Sequence, residues 1–265
     1  MSELERYLQF AQDIVHEAAT LTLGWYQRSL EVIAKADDSP VTIADRDAEA
    51  LIWRAIERSF PGHGIIGEEH GVLERAQGCS WRWVIDPIDG TKSFIHGVPL
   101  YTTLLGLLRE DESVVGVIGV PALGQQVAAA RGMGTRLNGR LVRTSQVDRL
   151  RDAVGLTTDM AHLARKHNPA LWQPVFDRCR FVRTWGDAYG HFLVATGRAE
   201  FILDAELAVH DCACLPVILE EAGGAFFDWR GEVTVFGGHG ISCNGALAAV
   251  IRRAVVDGVL PGDVA

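Results

Sequence analysis

One stretch restricts this chain more than any other: Trp83-Val84-Ile85-Asp86-Pro87-Ile88-Asp89-Gly90-Thr91-Lys92-Ser93-Phe94. An apolar strand runs straight into Asp86, a place where an acid is expensive. Pro87 is expected to stop the ladder and turn the chain, and Asp89 follows three residues after Asp86. Two carboxylates around one tight turn can face the same point. Hard divalent cations such as Mg²⁺ take several oxygen ligands, and the Ile88 carbonyl between the two acids can supply another. Gly90 lets the backbone approach a phosphate. If a helical turn begins after it, free N–H groups there bind the anion. The plainer reading is a strand-ending Asp followed by an Asp-Gly turn, which suits either acid alone better than the whole string.

Three further segments carry acids in such positions. Ile65-Ile66-Gly67-Glu68-Glu69-His70-Gly71 is again an apolar strand running into acids, or else a solvated turn. Val41-Thr42-Ile43-Ala44-Asp45-Arg46-Asp47 puts Asp45 in the first turn of a helix, where it also complements the helix dipole. His210-Asp211-Cys212-Ala213-Cys214 opens a helix that ends at Glu220-Glu221-Ala222-Gly223-Gly224, and Asp211 there can equally be an N-cap. His210 beside two cysteines invites a zinc reading, but the spacing lacks a second ligand pair.

The charge balance fits a metal-dependent site. Lys plus Arg number 25 against 34 Asp plus Glu, a formal net charge of −9. So acidic a chain is a poor binder of nucleic-acid backbones. A phosphorylated substrate then needs positive charge added locally, and a divalent metal is the obvious source. Apolar residues make up 48% and charged residues 22%, which excludes a wholly disordered chain. The acidic start, MSELERYLQFAQDIVHEAAT, is not a signal peptide. The longest apolar runs are broken by glycine, so no membrane span is expected. Five cysteines with no CxxC pair fit a reduced cytoplasm.

Helical periodicity covers residues 3–28 and 42–59, the second with an apolar stripe of Ala48, Leu51, Ile52, Ala55 and Ile56. Strands follow at Ile65-Ile66, Trp81–Ile85, Thr103–Leu108, Ser113–Val120 and Gln125–Ala130, and Asn138-Gly139 signals a hairpin. Beyond this point short strands (Ala153–Leu156, Phe181–Thr184, Phe201–Leu203, Ala225–Phe227) alternate with helical stretches near 159–167, 169–178, 187–197 and 211–222. The pattern predicts an α/β (α+β) protein with an N-terminal half, 1–145, carrying most of the acids. A C-terminal half, 146–265, carries Asp211 and shares an interface with the first. Trp25, Trp53, Trp81 and Trp83 read as packing residues, and Gly132-Met133-Gly134 as a turn rather than a phosphate loop.

Together these segments resemble the inositol monophosphatase family of metal-dependent, lithium-sensitive phosphomonoesterases, in the right order over nearly the whole chain. The family's apolar-strand D-P-(I/L)-D-G-T string stands at Asp86–Thr91, and its W-D-x-A-(A/G) string at His210–Cys214, with His210 where Trp is usual and Cys214 where a small residue is usual. The resemblance implies a layered αβαβα sandwich, commonly a homodimer. It implies two or three Mg²⁺ per site held by Glu68, Asp86, Asp89, Asp211 and the Ile88 carbonyl. Asp45 and Thr91 would orient and deprotonate the attacking water, and the amides of Gly90 and Thr91 would cradle the phosphate. It also implies that the loop from Ser29 to Ser39, near Asp45, is mobile and orders with metal and substrate.

The leaving-group pocket must choose the substrate, and Arg183-Thr184-Trp185-Gly186-Asp187-Ala188-Tyr189-Gly190-His191 is the informative segment. Where the family usually has Ser or Thr after the glycine, this chain has Asp187. An anionic side chain there suits a cationic alcohol better than a neutral polyol, unless it only caps the following helix. The W-G-D-A-Y-G string resembles the bacterial histidinol-phosphate phosphatase branch, with Asp187 pairing the amine or imidazole and Arg183 a further substrate contact. G-T-K at Gly90–Lys92 also resembles the bisphosphate nucleotidase branch, whose more anionic substrate Asp187 argues against. An inositol phosphate or broad sugar phosphatase remains open. A metal-binding pseudo-enzyme would be expected to lack a ligand, and Asp45, Glu68, Asp86, Asp89, Thr91 and Asp211 are all present.

Overall fold

The computed structural model of the chain describes residues 1–35 and 40–260; positions 36–39 of the loop expected to be mobile lie outside them. Helix α1 (Glu3–Trp25) starts at a capping box in which Ser2 and Glu5 satisfy each other's backbone amides. It ends short of residue 28 because Gln27 takes a left-handed backbone, φ +60°. A two-residue ribbon, β1 (Ile33–Ala34) with β2 (Pro40–Val41), leads into α2 (Ile43–Ser59).

The first sheet follows: β3 (Gly64–Gly67), β4 (Gly71–Leu73), β5 (Trp81–Asp89), then the short α3 (Thr91–Ile95), β6 (Thr102–Arg109), β7 (Glu112–Val120), β8 (Gln125–Ala130) and the hairpin β9 (Arg136–Leu137) with β10 (Arg140–Leu141). Their order is β10-β9-β8-β7-β6-β5-β3-β4, antiparallel except for β3 beside β5. Asn138 and Gly139 turn the hairpin with φ of +46° and +80°, as their sequence demands. One expectation is corrected. Pro87 does not end its strand: the β5–β6 ladder runs to Asp86↔Leu104, breaks its register, and resumes at Asp89↔Thr102. The proline sits in an irregularity, where its missing N–H costs no ladder bond.

The second half builds β11 (Val154–Leu156), α4 (Met160–Lys166), α5 (Pro169–Asp177), β12 (Phe181–Arg183), α6 (Asp187–Ala195), β13 (Phe201–Asp204), α7 (Val209–Cys212), α8 (Leu215–Glu221), β14 (Gly224–Phe227), β15 (Gly240–Asn244) and α9 (Ala248–Asp257). The sheet order is β12-β11-β13-β15-β14, parallel around β11 and antiparallel around β15. The single helix expected over 211–222 is two helices. Pro216 near the start of α8 cannot accept a continuous helix through residues 213–214.

Five layers result. Tyr7, Ala11, Val15, Ile52 and Ile56 bury the inner faces of α1 and α2 on one side of the large sheet. On its other side α6, α7 and α8 form a middle layer, with Phe192, Leu215 and Ile218 joined to Leu104 and Ile118 below and Ile202 and Phe226 above. The small sheet is closed outside by α5 and α9, through Trp172, Phe176, Ile251 and Val255. This is the layered αβαβα sandwich.

The middle layer sits unusually close to the large sheet. Gly106 on β6 and Gly116 on β7 face each other in register. A Cβ on Gly106 would lie 2.8 Å from the Ala213 backbone, and one on Gly116 would strike the Cys214 carbonyl. Two bare backbones therefore seat the α7–α8 junction, three residues from Asp211. Gly116→Ala is expected to destabilise the fold by about 1–3 kcal/mol through overpacking and to displace Asp211; if Asp211 ligates a cation, binding of a divalent cation weakens with it. Thermal unfolding with and without Mg²⁺ checks this; an unchanged melting temperature would refute the close seating.

Candidate active site

Three segments bring four carboxylates to the seam between the large sheet and the middle layer. Asp86 is 2% exposed where the regular part of β5 ends, and Asp89 lies past the register break. Asp89 Oδ2 accepts the Thr102 hydroxyl at 2.9 Å and the Ala188 N–H at 2.8 Å, so α6 and β6 together fix its direction. Asp211 comes from the first turn of α7 with its Oδ2 accepting the Ala208 N–H at 2.6 Å. Glu68 lies in the turn between β3 and β4. Ligand atoms of Asp86, Asp89 and Asp211 fall within 4.8 Å of one another, and so do those of Glu68, Asp86 and His210. The two groups share Asp86.

Such a cluster is self-repelling. Burial pushes the Asp86 carboxyl well above its ordinary value, and the charges of Glu68, Asp89 and Asp211 push it further. Burial likewise raises Asp89, with Asp187 and Asp211 adding to it. Asp211 is raised by burial against the opposing pull of His210. Asp86 Oδ1 is buried with no hydrogen-bond partner among the described residues. An oxygen-rich, over-charged set with an unpaired inward oxygen fits hard divalent cations, and two groups joined through one carboxylate fit more than one. His210, left without a role by the sequence, lies at this site: its Nε2 is 3.6 Å from Asp211 Oδ1.

The turn expected to cradle a phosphate is also assembled. Gly90 is left-handed, φ +75°, and opens α3. The first bond of that turn is Phe94 N–H to Gly90 O, which leaves the N–H groups before it without helical partners. The Thr91 hydroxyl donates to the Ile88 carbonyl at 3.0 Å, leaving that oxygen a second lone pair. Asp45 Oδ2 accepts the Thr42 amide at 2.8 Å and hydroxyl at 2.6 Å. Asp45 thus performs the helix-start role as well, and no hydrogen bond joins it directly to Thr91 among the described residues. Burial pushes Asp45 up to about 6, opposed by the Thr42 bonds and helped by Glu68 and Glu69.

Asp187 does not cap its helix. Gly186 holds the cap position, and Asp187 follows with φ +52° and no side-chain capping bond. A left-handed aspartate is strained relative to glycine. Its Oδ2 lies 3.0 Å from where a Cβ on Gly90 would stand, so the carboxylate rests against the phosphate-side turn. Burial, then Asp204 and Asp211, push it up to about 6, and Lys92 draws it back. Arg183 stands apart. It is exposed at the end of β12, with its guanidinium 5.0 Å over the Phe181 ring and bonded to the Val182 carbonyl at 2.8 Å.

Two important groups escaped the sequence reading. Glu49, fully buried on α2, accepts the amides of Glu69 (2.8 Å) and His70 (2.7 Å) and the His70 ring at 2.7 Å. It clamps the turn that presents Glu68. An acid four residues after Asp45, on the same buried helical face, was the available signal. Lys35 bonds Glu68 at 2.7 Å and also Glu69. Burial works against its charge, but these two bonds raise its pKa.

A sequence model described as the Inositol monophosphatase family matches residues 3–259. The chain belongs to that family. It is a phosphoric monoester hydrolase. It is 43% identical over 257 residues to a histidinol-phosphatase of Chlorobaculum parvum, covering 95% of this chain and 97% of that one. It is 33% identical to an inositol-1-monophosphatase of Mesorhizobium japonicum over 88% and 87% of the two chains. Among solved structures, the extragenic suppressor protein suhB of Bartonella henselae superposes with a TM-score of 0.88 at 26% identity, over 96% of this chain and 100% of that one. Within the described residues no helix is long and apolar enough to cross a membrane.

Two predictions follow from the charge cluster. Asp45 and Asp187, with values near 6 in the folded protein, bind more protons folded than unfolded, so their stabilisation is present at low pH and lost as pH rises through about 6. Bound cations cancel that loss. The rise in melting temperature on adding a fixed concentration of a divalent cation such as Mg²⁺ is therefore expected to be larger at pH 8 than at pH 5, and a concentration of a hundred times the dissociation constant would add about 2.7 kcal/mol of stability; calorimetry showing a pH-independent rise would refute it. Asp89→Asn is expected to abolish Mg²⁺-dependent phosphate release while leaving the metal-free melting temperature at or above wild type. Near-wild-type turnover would remove Asp89 from the ligand set.

Proposed function

We propose that this protein hydrolyses L-histidinol phosphate to L-histidinol and phosphate, a step of histidine biosynthesis, using Mg²⁺. The observation that carries the reading is the Asp187 carboxylate resting against Gly90. An anion beside the phosphate-cradling turn suits a leaving group with a cationic amine or imidazole and repels one with further phosphates.

Glu68, Asp86, Asp89, Asp211 and the Ile88 carbonyl would hold two or three Mg²⁺. When bound, these ions lower the pKa of a water and neutralise the phosphoryl oxygens. The protein's own groups do the rest. The amides of Gly90 and Thr91 bind a phosphoryl oxygen. The Thr91 hydroxyl, fixed by Ile88 O, and the Asp45 carboxylate orient the attacking water. Asp45, pushed up to about 6, is matched to take a proton near neutral pH. Asp187 pairs with the cationic part of the alcohol, and Arg183 is a contact at the outer rim. We further infer a cytoplasmic homodimer whose halves, 1–145 and 146–265, each contribute to the pocket.

Inositol 1-phosphate or a broad range of sugar phosphates is the second reading, supported by the inositol-1-monophosphatase relative. Parallel measurement of Mg²⁺-dependent phosphate release from L-histidinol phosphate, myo-inositol 1-phosphate and 3′-phosphoadenosine 5′-phosphate separates them. The expected result is a kcat/KM preference for histidinol phosphate of about 100-fold, or about 2.7 kcal/mol of transition-state discrimination. Asp187→Ser is expected to lower turnover of histidinol phosphate far more than that of a neutral sugar phosphate. Comparable rates on all three substrates, or a uniform loss in the variant, would reduce Asp187 to a structural residue.

A further inference from the structure

Behind Asp187 runs a buried chain of side chains that the reaction itself does not use. Ser242 on β15 and His191 on α6 are both fully buried, and Asp204 at the end of β13 is 2% exposed. His191 Nδ1 is 2.6 Å from Ser242 Oγ, and its Nε2 is 3.1 Å from Asp204 Oδ2. The other Asp204 oxygen accepts the Thr158 hydroxyl at 2.5 Å, and Thr158 Oγ1 accepts the Asp187 N–H at 2.8 Å. Asp204 is held from a third side, its carbonyl accepting the Trp229 indole N–H at 2.8 Å.

The donor inventory gives this chain a direction. Thr158 has one hydroxyl proton and spends it on Asp204, so the oxygen it turns toward Asp187 is an acceptor. His191 Nε2 faces the same carboxylate and its Nδ1 faces the Ser242 hydroxyl, which can serve as either donor or acceptor. The chain converges on Asp204, whose two oxygens are met by Thr158 and His191. The trio of Ser242, His191 and Asp204 is spelled like a hydrolase triad, but Ser242 is sealed in a strand of the small sheet with no exposed surface. It has no route to a substrate. What the chain does reach is the backbone amide of Asp187, the one residue near the site, among the described residues, that holds a left-handed φ without being glycine. Gly186 adds a steric lock, since a Cβ there would strike the Thr158 backbone.

We infer that Thr158, oriented by Asp204 and His191, is a positioning residue for substrate selection: its hydroxyl holds the strained backbone that aims the Asp187 carboxylate at the leaving-group side of Gly90. The inference rests on the reading of Asp187 given above only for its effect on substrate choice, not for the positioning itself.

The test uses Thr158→Val, which keeps the shape and removes the hydroxyl, and Thr158→Ser, which keeps the hydroxyl. In the Mg²⁺-loaded protein, deuterium uptake over residues 186–190 is expected to rise in Thr158→Val and to stay at the wild-type level in Thr158→Ser. In the same variant kcat/KM for histidinol phosphate is expected to fall roughly ten-fold, mainly through KM, while glycerol 2-phosphate changes less than about two-fold. Ser242→Ala, which cuts the far end, is expected to move both readouts in the same direction by less, and serves if Thr158→Val does not fold. Unchanged uptake in Thr158→Val, or an equal rise in both Thr158 variants, would overturn the positioning role. A rise confined to Thr158→Val with substrate preference unaltered would uphold the positioning and instead sink the reading of Asp187 as the selector.

Discussion

The mutual repulsion of carboxylates that the fold forces together governs this structure. Asp86, Asp89 and Asp211 meet at a seam where water is largely excluded, with Glu68 and Asp45 beside them. Left alone, such charges protonate or move apart. The protein prevents movement by tying four of the five to rigid elements: Asp89 to β6 and α6, Asp211 to the start of α7, Asp45 to Thr42, and the Glu68 turn to the buried Glu49. Folding free energy is thus stored as an affinity for cations. The same restraint holds Asp89 and Asp211 in place before a cation arrives, whereas Glu68 must exchange its bond with Lys35 for the cation.

The layered architecture divides the labour. The large sheet supplies Glu68, Asp86, the Ile88 carbonyl, Asp89 and the Gly90 turn, all from β3 through the start of α3. The middle layer and small sheet supply Asp211, Asp187, and the buried Asp204 and His191. In the proposed roles, the phosphate-side groups come from one sheet and the leaving-group wall from elements of the other half, which also lends Asp211 to the acidic cluster. The two meet at the amide of Ala188, which bonds Asp89 directly. A change in the wall can alter the substrate without dismantling the cation site. Family members with different substrates are consistent with that separation.

Much of the site could be read along the chain because its signals are local. An apolar run ending in Asp-Pro-Ile-Asp-Gly-Thr can hardly be a surface loop, and Asp211 at the head of a helix kept its meaning although that helix proved to be two. Readings that depended on exact backbone geometry fared differently. Pro87 was expected to end its strand, but a register break absorbs it and pairing resumes at Asp89. Asp187 could be read as a cap, but Gly186 takes that place and the aspartate adopts φ +52°. Arg183 shares a segment with Asp187 yet lies over Phe181, because β12 is an edge strand and its end faces outward. Glu49 was missed because its one signal, an acid four residues after Asp45, does not separate a glutamate on an exposed helix face from one buried under a turn until the turn is in place.

The sequence by itself determined the chemistry: a set of acids at strand ends and helix starts, a glycine turn fit for phosphate, and an excess of negative charge that calls for cations. These follow from residue type and short spacing, which act within a few residues of one another. Only the tertiary structure decided which acids share a point, which carboxylate oxygens are spent on the protein, and where the specificity wall stands. Those outcomes depend on contacts between segments from about fifty to about a hundred residues apart, such as Asp89 with Ala188, Gly116 with Cys214, Asp204 with Thr158, and His191 with Ser242. Burial and desolvation, which set the charge states, exist only once those segments have packed.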